Sequence, residues 1–149
     1  MPDDEFPSRE VDYRARPEKY RIARGERGVF HCEPYKGELL PLWAFRTPEI
    51  AEESAAAITA KFHEYLAAGD FPGADLARKY LQMGWTRARR YANHKGGRKY
   101  DAETGEPLPQ QIDEVKAAAA AVFKAAYDAA REDAEYVRQK AEHKRRYEG

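Results

Sequence analysis

The sequence has a single cysteine, Cys32, and no long apolar run. One thiol excludes an internal disulfide and a thiolate-rich zinc site. No apolar stretch approaches the roughly 20 residues that span a bilayer, so no membrane association is predicted. The first ten residues, MPDDEFPSRE, are acidic and lack the apolar core of a secretory signal. We therefore expect a cytoplasmic protein whose 149 residues form one ordinary domain.

Acidic residues are also missing between Asp75 and Asp101, although the chain as a whole carries no net charge. Residues 76–100 contain eight lysines and arginines. An ordinary helix surface mixes both signs, because opposite charges four residues apart attract each other. Clustered like charges repel, so a segment of this kind usually faces something negative.

The pattern of apolar and turn-forming residues predicts a mainly α fold of the α+β class. Residues 1–12 are expected to form a disordered acidic tail, and residues 13–108 a core domain that contains the basic helix. Within the core we predict a small β element over residues 28–45, with GVFHC as its best strand, and a hairpin at 98–108. Residues 109–149 are predicted to form a long C-terminal helix.

Three main helices are predicted. The first begins after Thr47, a good N-cap, and ends near Ala68 before Gly69. The second begins near Asp70 and ends near Asn93. The third follows Pro109, and its apolar residues alternate steps of three and four, as in a coiled coil. A helix over residues 110–146 would be roughly 55 Å long, so its far end is expected to project from the core or to meet a partner.

The second helix is apolar on one half of its helical wheel and basic or polar on the other. Basic residues continue past its predicted end in NHKGGRKY, where adjacent glycines can let backbone N–H groups approach a phosphate. RGERG, residues 24–28, can extend the same surface. The candidate binding residues are Arg78, Lys79, Arg87, Arg89, Arg90, His94, Lys95, Arg98, Lys99, Arg24 and Arg27.

Arginine-rich surfaces suit phosphate groups, because the guanidinium fork donates two hydrogen bonds to one phosphate. We therefore predict electrostatic binding of nucleic acid or another polyphosphate. In the first alternative the chain is a structural protein that forms a homodimer through its C-terminal helix. Its basic charges would then be neutralised by a partner or by acids of the first helix, namely Glu49, Glu52, Glu53 and Glu64. In the second alternative, His94 and Glu26 belong to a phosphate-handling enzyme.

No catalytic set, metal site or cofactor site is predicted from the sequence. His31 and Cys32 are adjacent, which places them on opposite faces of a strand, so Cys32 is expected to be a buried small side chain. Aromatic residues of the second helix fall on its apolar half. They are therefore expected to pack in the core rather than to stack on bases.

Four segments resemble the bacterial and phage family known as domain of unknown function 4385. They are RPEKYRIARGERGV, EPYKGELLP, FRTPEIA and ADLARKYLQMGWTRARRYANHKGGRKYD, and the resemblance covers about residues 12–102. It implies a bacterial or phage protein of the cytoplasm. The family brings no established activity, so the resemblance implies no role for any residue.

Overall fold

The computed structural model describes residues 6–93 and 113–148, and this part of the chain is mainly helical, as predicted. The last helix is followed by a short π-helical turn, Lys144–Glu148. Single 3-10 turns lie at Pro17–Lys19 and Leu40–Leu42. The α-helices are α1 (Tyr35–Leu39), α2 (Pro48–Ala67), α3 (Phe71–Asn93), α4 (Glu114–Glu132) and α5 (Ala134–His143).

The boundary signals of α2 are confirmed. The Thr47 hydroxyl accepts a hydrogen bond of 3.1 Å from the backbone N–H of Ile50, which satisfies one free donor of the first turn. The helix ends before Gly69, whose φ of +72° lies in the left-handed region that favours glycine. The reversal after Gly69 places α3 antiparallel to α2, and the two helices pack together.

The predicted β element over residues 28–45 is wrong. This range contains successive turns, then α1 and the 3-10 turn Leu40–Leu42, and the described residues form only an isolated bridge between Asp12 and Glu33. Val29 and Cys32 are both buried in the core. Residues three apart face the same way in a turn or helix but opposite ways in a strand. The predicted hairpin at 98–108 lies outside the described residues.

Residues 6–12 pack on the core, although they were expected to belong to a disordered tail. The Phe6 ring is buried and meets Tyr13 and Tyr20 edge-on, at centroid distances of 5.6 and 5.4 Å. Edge-to-face pairs at this spacing are a favoured arrangement of aromatic rings. This part of the predicted tail is therefore structural.

The core lies where α2, α3 and α4 pack together. α3 and α4 pack tightly at Gly84, where a Cβ would overlap the ring of Phe123. The buried side chains of Ile58 and Phe62 cover the third side from α2. The absence of a side chain at Gly84 thus allows α3 and α4 to pack more closely than any larger residue would allow at this position.

The predicted C-terminal helix is broken at Asp133, whose φ of −60° and ψ of +129° are extended rather than helical. Its carboxylate caps α5 by accepting a 2.9 Å hydrogen bond from the backbone N–H of Tyr136. The segment then turns back onto the core, where Tyr136 and His143 are buried. The prediction that the far end projects is wrong. The His143 ring lies 2.9 Å from the carbonyl of Tyr20, and the Glu148 carboxylate accepts a 2.9 Å hydrogen bond from the backbone N–H of Ile22.

Candidate functional site

A buried carboxylate on α3 organises the contact between α3 and α5. Asp75 is fully buried and accepts hydrogen bonds from the hydroxyl of Tyr20 at 2.5 Å and from that of Tyr136 at 2.6 Å. The Arg78 guanidinium lies 3.0 Å from the same carboxylate. Arg78 also donates to the Tyr136 hydroxyl at 2.8 Å and to the side-chain oxygen of Gln82 at 3.1 Å. All these groups have partners, as buried polar groups require.

The charge states in this network follow from opposing effects. Burial alone would raise the pKa of the Asp75 carboxyl. The charge of Arg78 and the hydrogen bonds from Tyr136 and Tyr20 outweigh burial and hold that pKa below its ordinary value. Burial lowers the pKa of the Arg78 guanidinium, but the neighbouring Asp75 charge raises it above its usual range. Both groups therefore remain ionised.

Arg78 forms part of the lining of a cleft with a volume of about 640 Å³, which we call the basic cleft. The loop 22–25 lies on one side, and α3, α4, α5 and the terminal π-helical turn supply the rest. Five of the lining residues are lysine or arginine, and none of the described lining residues is an aspartate or glutamate. The lining consists of Ile22, Ala23, Arg24, Gly25, Arg78, Gln82, Tyr127, Arg131, Tyr136, Val137, Lys140 and Lys144.

The positive charge of the basic cleft is only partly neutralised by the protein. Arg78 pairs with Asp75, and Arg131 lies 3.2 Å from the carboxylate of Asp128. The other three cations have no ion-pair partner among residues 6–93 and 113–148; they are Arg24, Lys140 and Lys144. The Asp128 carboxylate also pairs with Lys124, so at least three of the five positive charges around the cleft are not offset by a carboxylate.

A column of two stacked rings with an arginine at each end runs along the edge of the cleft between α3 and α4. The rings of Trp85 and Tyr127 stack at 5.9 Å with an interplanar angle of 22°. The Arg131 guanidinium lies over Tyr127 at 5.2 Å, and that of Arg89 over Trp85 at 4.7 Å. Cation–π contacts of this kind hold flexible arginines in place. The column therefore orients Arg131 at the cleft.

Residues 3–146 match a family model described as Domain of unknown function (DUF4385), which covers nearly the whole chain. The chain belongs to the DUF4385 family. The resemblance found in the sequence over about residues 12–102 is thereby confirmed and extended to the C-terminal helices. Neither the curated proteins nor the solved structures give a match to the chain. None of the helices in the described part of this family member is both long and apolar enough to cross a bilayer.

Two of the predicted binding residues of this DUF4385 chain, Arg24 and Arg78, line the basic cleft. Lys79 does not belong to an exposed basic face, because it is only 1% exposed. Its ammonium donates a 2.9 Å hydrogen bond to the carbonyl of Arg27, which joins α3 to the loop that covers it. Burial lowers the pKa of Lys79, against the raising effect of Asp75. Lys79 thus stabilises the packing of the loop on α3.

Arg87 also has internal partners. Its guanidinium lies 2.8 Å from the carboxylate of Glu26 and stacks over Trp43 at 5.2 Å. The Glu26 side chain is 49% exposed, so this ion pair lies at the surface. Arg27 donates to the carbonyl of Phe6 at 2.6 Å, while its side chain remains at the surface.

Arg89 and Arg90 are exposed on the last turns of α3, as the helical wheel predicts. The remaining predicted binding residues lie outside the described residues; they are His94, Lys95, Arg98 and Lys99. Acids of α2 do not neutralise the basic helix in the described part of the chain, since Glu64 pairs with Lys61 at 3.7 Å and none of Glu49, Glu52 and Glu53 forms an ion pair there. The internal neutralisation comes from Asp75 and Glu26 instead.

Sequence reasoning missed Arg131, Lys140 and Lys144. In one continuous helix, positions 131 and 140 are nine residues apart and fall on opposite sides at about 100° per residue. The break at Asp133 reorients α5, which brings both residues to the same cleft. The sequence clue to this break was Asp133, because aspartate is a favoured N-cap residue at the start of a helix.

Cys32 is fully buried, as expected, and burial raises the pKa of its thiol to about 12. A thiol in this state is a poor nucleophile. Across residues 6–93 and 113–148, no group of three or more histidine, cysteine, aspartate or glutamate side chains is arranged to hold a metal ion. The chemistry that the described residues support best is the attraction and orientation of an anion.

Proposed function

We propose that the chain binds nucleic acid or another polyphosphate by electrostatic attraction at the basic cleft. The observation that carries the proposal is the lining of the cleft, with five lysines and arginines and no acidic side chain among the described lining residues. Positive groups that converge on a concave surface concentrate anions, because the low-dielectric walls focus the field into the cleft.

The types of side chain fit phosphate oxygens. Arg131 carries a planar fork that can donate a pair of hydrogen bonds, and the ring of Tyr127 orients it. The nitrogens of Arg78 already donate to Asp75, Tyr136 and Gln82, so Arg78 contributes its charge. Lys140 and Lys144 carry compact point charges four residues apart, about one helical turn. Gln82 adds a neutral polar group to the lining of the cleft. The arrangement thus combines one oriented guanidinium fork with movable ammonium groups.

A longer polymer could continue from the cleft along the column to Arg89 and Arg90. In binders of single strands, bases usually stack on exposed aromatic rings. Here the Trp85 and Tyr127 rings stack on each other and are covered by cations. Charge rather than base stacking therefore carries the proposed binding, which predicts little dependence on nucleotide sequence.

The test is a fluorescence-anisotropy titration of the full chain against a labelled 30-mer, single- and double-stranded, at 50 and 200 mM salt. If three to five phosphates are neutralised, log affinity should fall with log salt at a slope of about −2 to −4.5. The Arg131/Lys140/Lys144→Gln variant should lose this binding. A matched variant, Arg16/Lys36/Arg46→Gln, removes as many charges outside the cleft and should keep it.

A slope near zero, or equal affinities of the two triple variants, would contradict the proposal. So would the absence of binding at low salt by a protein whose circular dichroism shows it to be folded. Thermal melts of both variants serve as controls, because surface substitutions of this kind usually change stability by less than about 0.5 kcal/mol.

The two alternatives stay predictions without a specific observation in their favour. Dimerisation was inferred from the apolar spacing of the C-terminal helix. Within α4, Ala119 of that spacing is buried in the core of the chain itself, and Val122 and Ala126 pack against this core. The enzyme hypothesis requires His94 beside Glu26, and His94 lies outside the described residues. Bacterial origin and a cytoplasmic location likewise stay predictions.

A further inference from the structure

We infer that the ligand of the basic cleft is a condensed phosphate chain, in which neighbouring phosphates share a bridging oxygen, as in a nucleoside triphosphate or inorganic tripolyphosphate. This inference rests on the proposed function, since it assumes that the cleft binds a polyanion, and it names the class of that polyanion. A sugar–phosphate backbone is the ligand that it disfavours.

Charge density is the first argument. A nucleic-acid strand carries one negative charge per nucleotide, and its phosphates are separated by sugars. A terminal phosphate on a condensed chain is doubly ionised near neutral pH, since its second pKa is about 6. Several charges therefore fall within a short length. The cleft concentrates five cations around about 640 Å³, three of them left over after Asp75 and Asp128 are counted.

Size is the second argument. The cleft volume of about 640 Å³ lies within the range of roughly 300–1,000 Å³ that is typical of small-molecule sites. The major groove of B-DNA alone is roughly 12 Å wide, so a duplex is too large to enter such a cleft and can touch only its rim. A compact chain of phosphates can enter and contact several walls at once.

The placement of the cations is the third argument. Arg24 belongs to the loop on one side, Arg78 to α3, Arg131 to α4 and Lys140 to α5. Cations from four segments surround a ligand, whereas a polymer that passes over a surface meets cations in a row. Arg78 is fixed by Asp75 and Tyr136, so its positive charge is in place before a ligand binds.

The test is isothermal titration calorimetry on the full chain in magnesium-free buffer, with sodium tripolyphosphate, ATP, AMP and orthophosphate as separate ligands. We expect tripolyphosphate and ATP to bind, and affinity to fall by about tenfold for each phosphate removed, because charge-assisted hydrogen bonds are lost in turn. The Arg131/Lys140/Lys144→Gln variant should bind tripolyphosphate at least about 100-fold more weakly. The Arg16/Lys36/Arg46→Gln variant should bind it like the wild type.

Comparison of ATP with tripolyphosphate distinguishes a nucleoside triphosphate from an inorganic phosphate chain as the ligand. Tighter binding of ATP supports a nucleoside triphosphate whose sugar and base add contacts, and equal binding supports recognition of the phosphate chain alone. Equal affinities for AMP, orthophosphate and tripolyphosphate would overturn the inference.

Competition distinguishes failure of this inference from failure of the proposed function. Tripolyphosphate should displace the labelled 30-mer from the cleft if both use the same cations. If the 30-mer binds and is lost in the Arg131/Lys140/Lys144→Gln variant, but tripolyphosphate neither binds nor displaces it, the inference fails and the proposed function stands. If neither ligand binds to the folded protein, both fail.

Discussion

The hydroxyl of Tyr136 donates a 2.6 Å hydrogen bond to the buried carboxylate of Asp75 and accepts one of 2.8 Å from Arg78. Tyr136 belongs to α5, whereas Asp75 and Arg78 belong to α3. These three side chains therefore join two of the helices that line the basic cleft. The stability of the fold and the geometry of the cleft therefore depend on the same contacts.

Substitution Asp75→Asn should lower the free energy of unfolding by about 3–5 kcal/mol, because it leaves the mostly buried Arg78 charge without its partner. Urea unfolding followed by circular dichroism measures the change. Glu52→Gln removes an exposed acid of α2 and should change stability by less than about 0.5 kcal/mol. A loss below about 1 kcal/mol for Asp75→Asn would show that the network is not important for folding.

The stabilising effect of Asp75 should depend on pH. Its pKa in the folded chain lies below the ordinary value of 3.8, so the unfolded state takes up a proton first as the pH falls. The stability from ionised Asp75 is fully present above about pH 5 and is lost as the pH falls through the folded-state pKa. The difference in unfolding free energy between wild type and Asp75→Asn should therefore shrink on acidification.

Urea titrations at several pH values between 7 and 3 give that difference directly. Other carboxyl groups titrate in both proteins, so their effects largely cancel in the subtraction. A difference that stays constant down to pH 3 would mean that Asp75 is not the group whose ionisation stabilises the contact.

Gly84→Ala should destabilise the chain by about 1–3 kcal/mol, because the added Cβ overlaps the ring of Phe123 at the crossing of α3 and α4. The higher helix propensity of alanine, about 1 kcal/mol, offsets only part of this cost. Gly37→Ala is the matched control, since its Cβ would lie at an ordinary 3.6 Å from Glu33. Thermal or urea unfolding of both variants tests the crossing, and equal stabilities would contradict it.

Tyr127→Leu should weaken binding of tripolyphosphate or of the 30-mer by about two- to fivefold. It removes the ring beneath Arg131, and an exposed cation–π contact contributes about 0.5–1 kcal/mol. Tyr127→Phe keeps the ring and should bind like the wild type. If the phenylalanine variant is as weak as the leucine variant, the hydroxyl rather than the ring supports the cleft. Titration calorimetry on the two variants separates these roles.

Local features of the sequence were sufficient to predict α2 and α3. The cap at Thr47 and the stop at Gly69 act within one turn of chain, so neighbouring residues alone decide them. The burial of Cys32 and the excess of positive charge over residues 76–100 were also readable from composition and pattern. The strand expected at GVFHC failed because turn formation there depends on burial against α3, which no local pattern encodes.

The sequence by itself determined that the chain is mainly helical and that its basic residues are unevenly placed. Only the tertiary structure decided which of those charges face solvent. Lys79 is covered by the loop that contains Arg27, whereas Arg131 and Lys140 line the same cleft because the helix breaks at Asp133. Helix formation depends on near neighbours, but exposure depends on which distant segment packs on each face. That choice follows from the sum of many small contacts across the whole core.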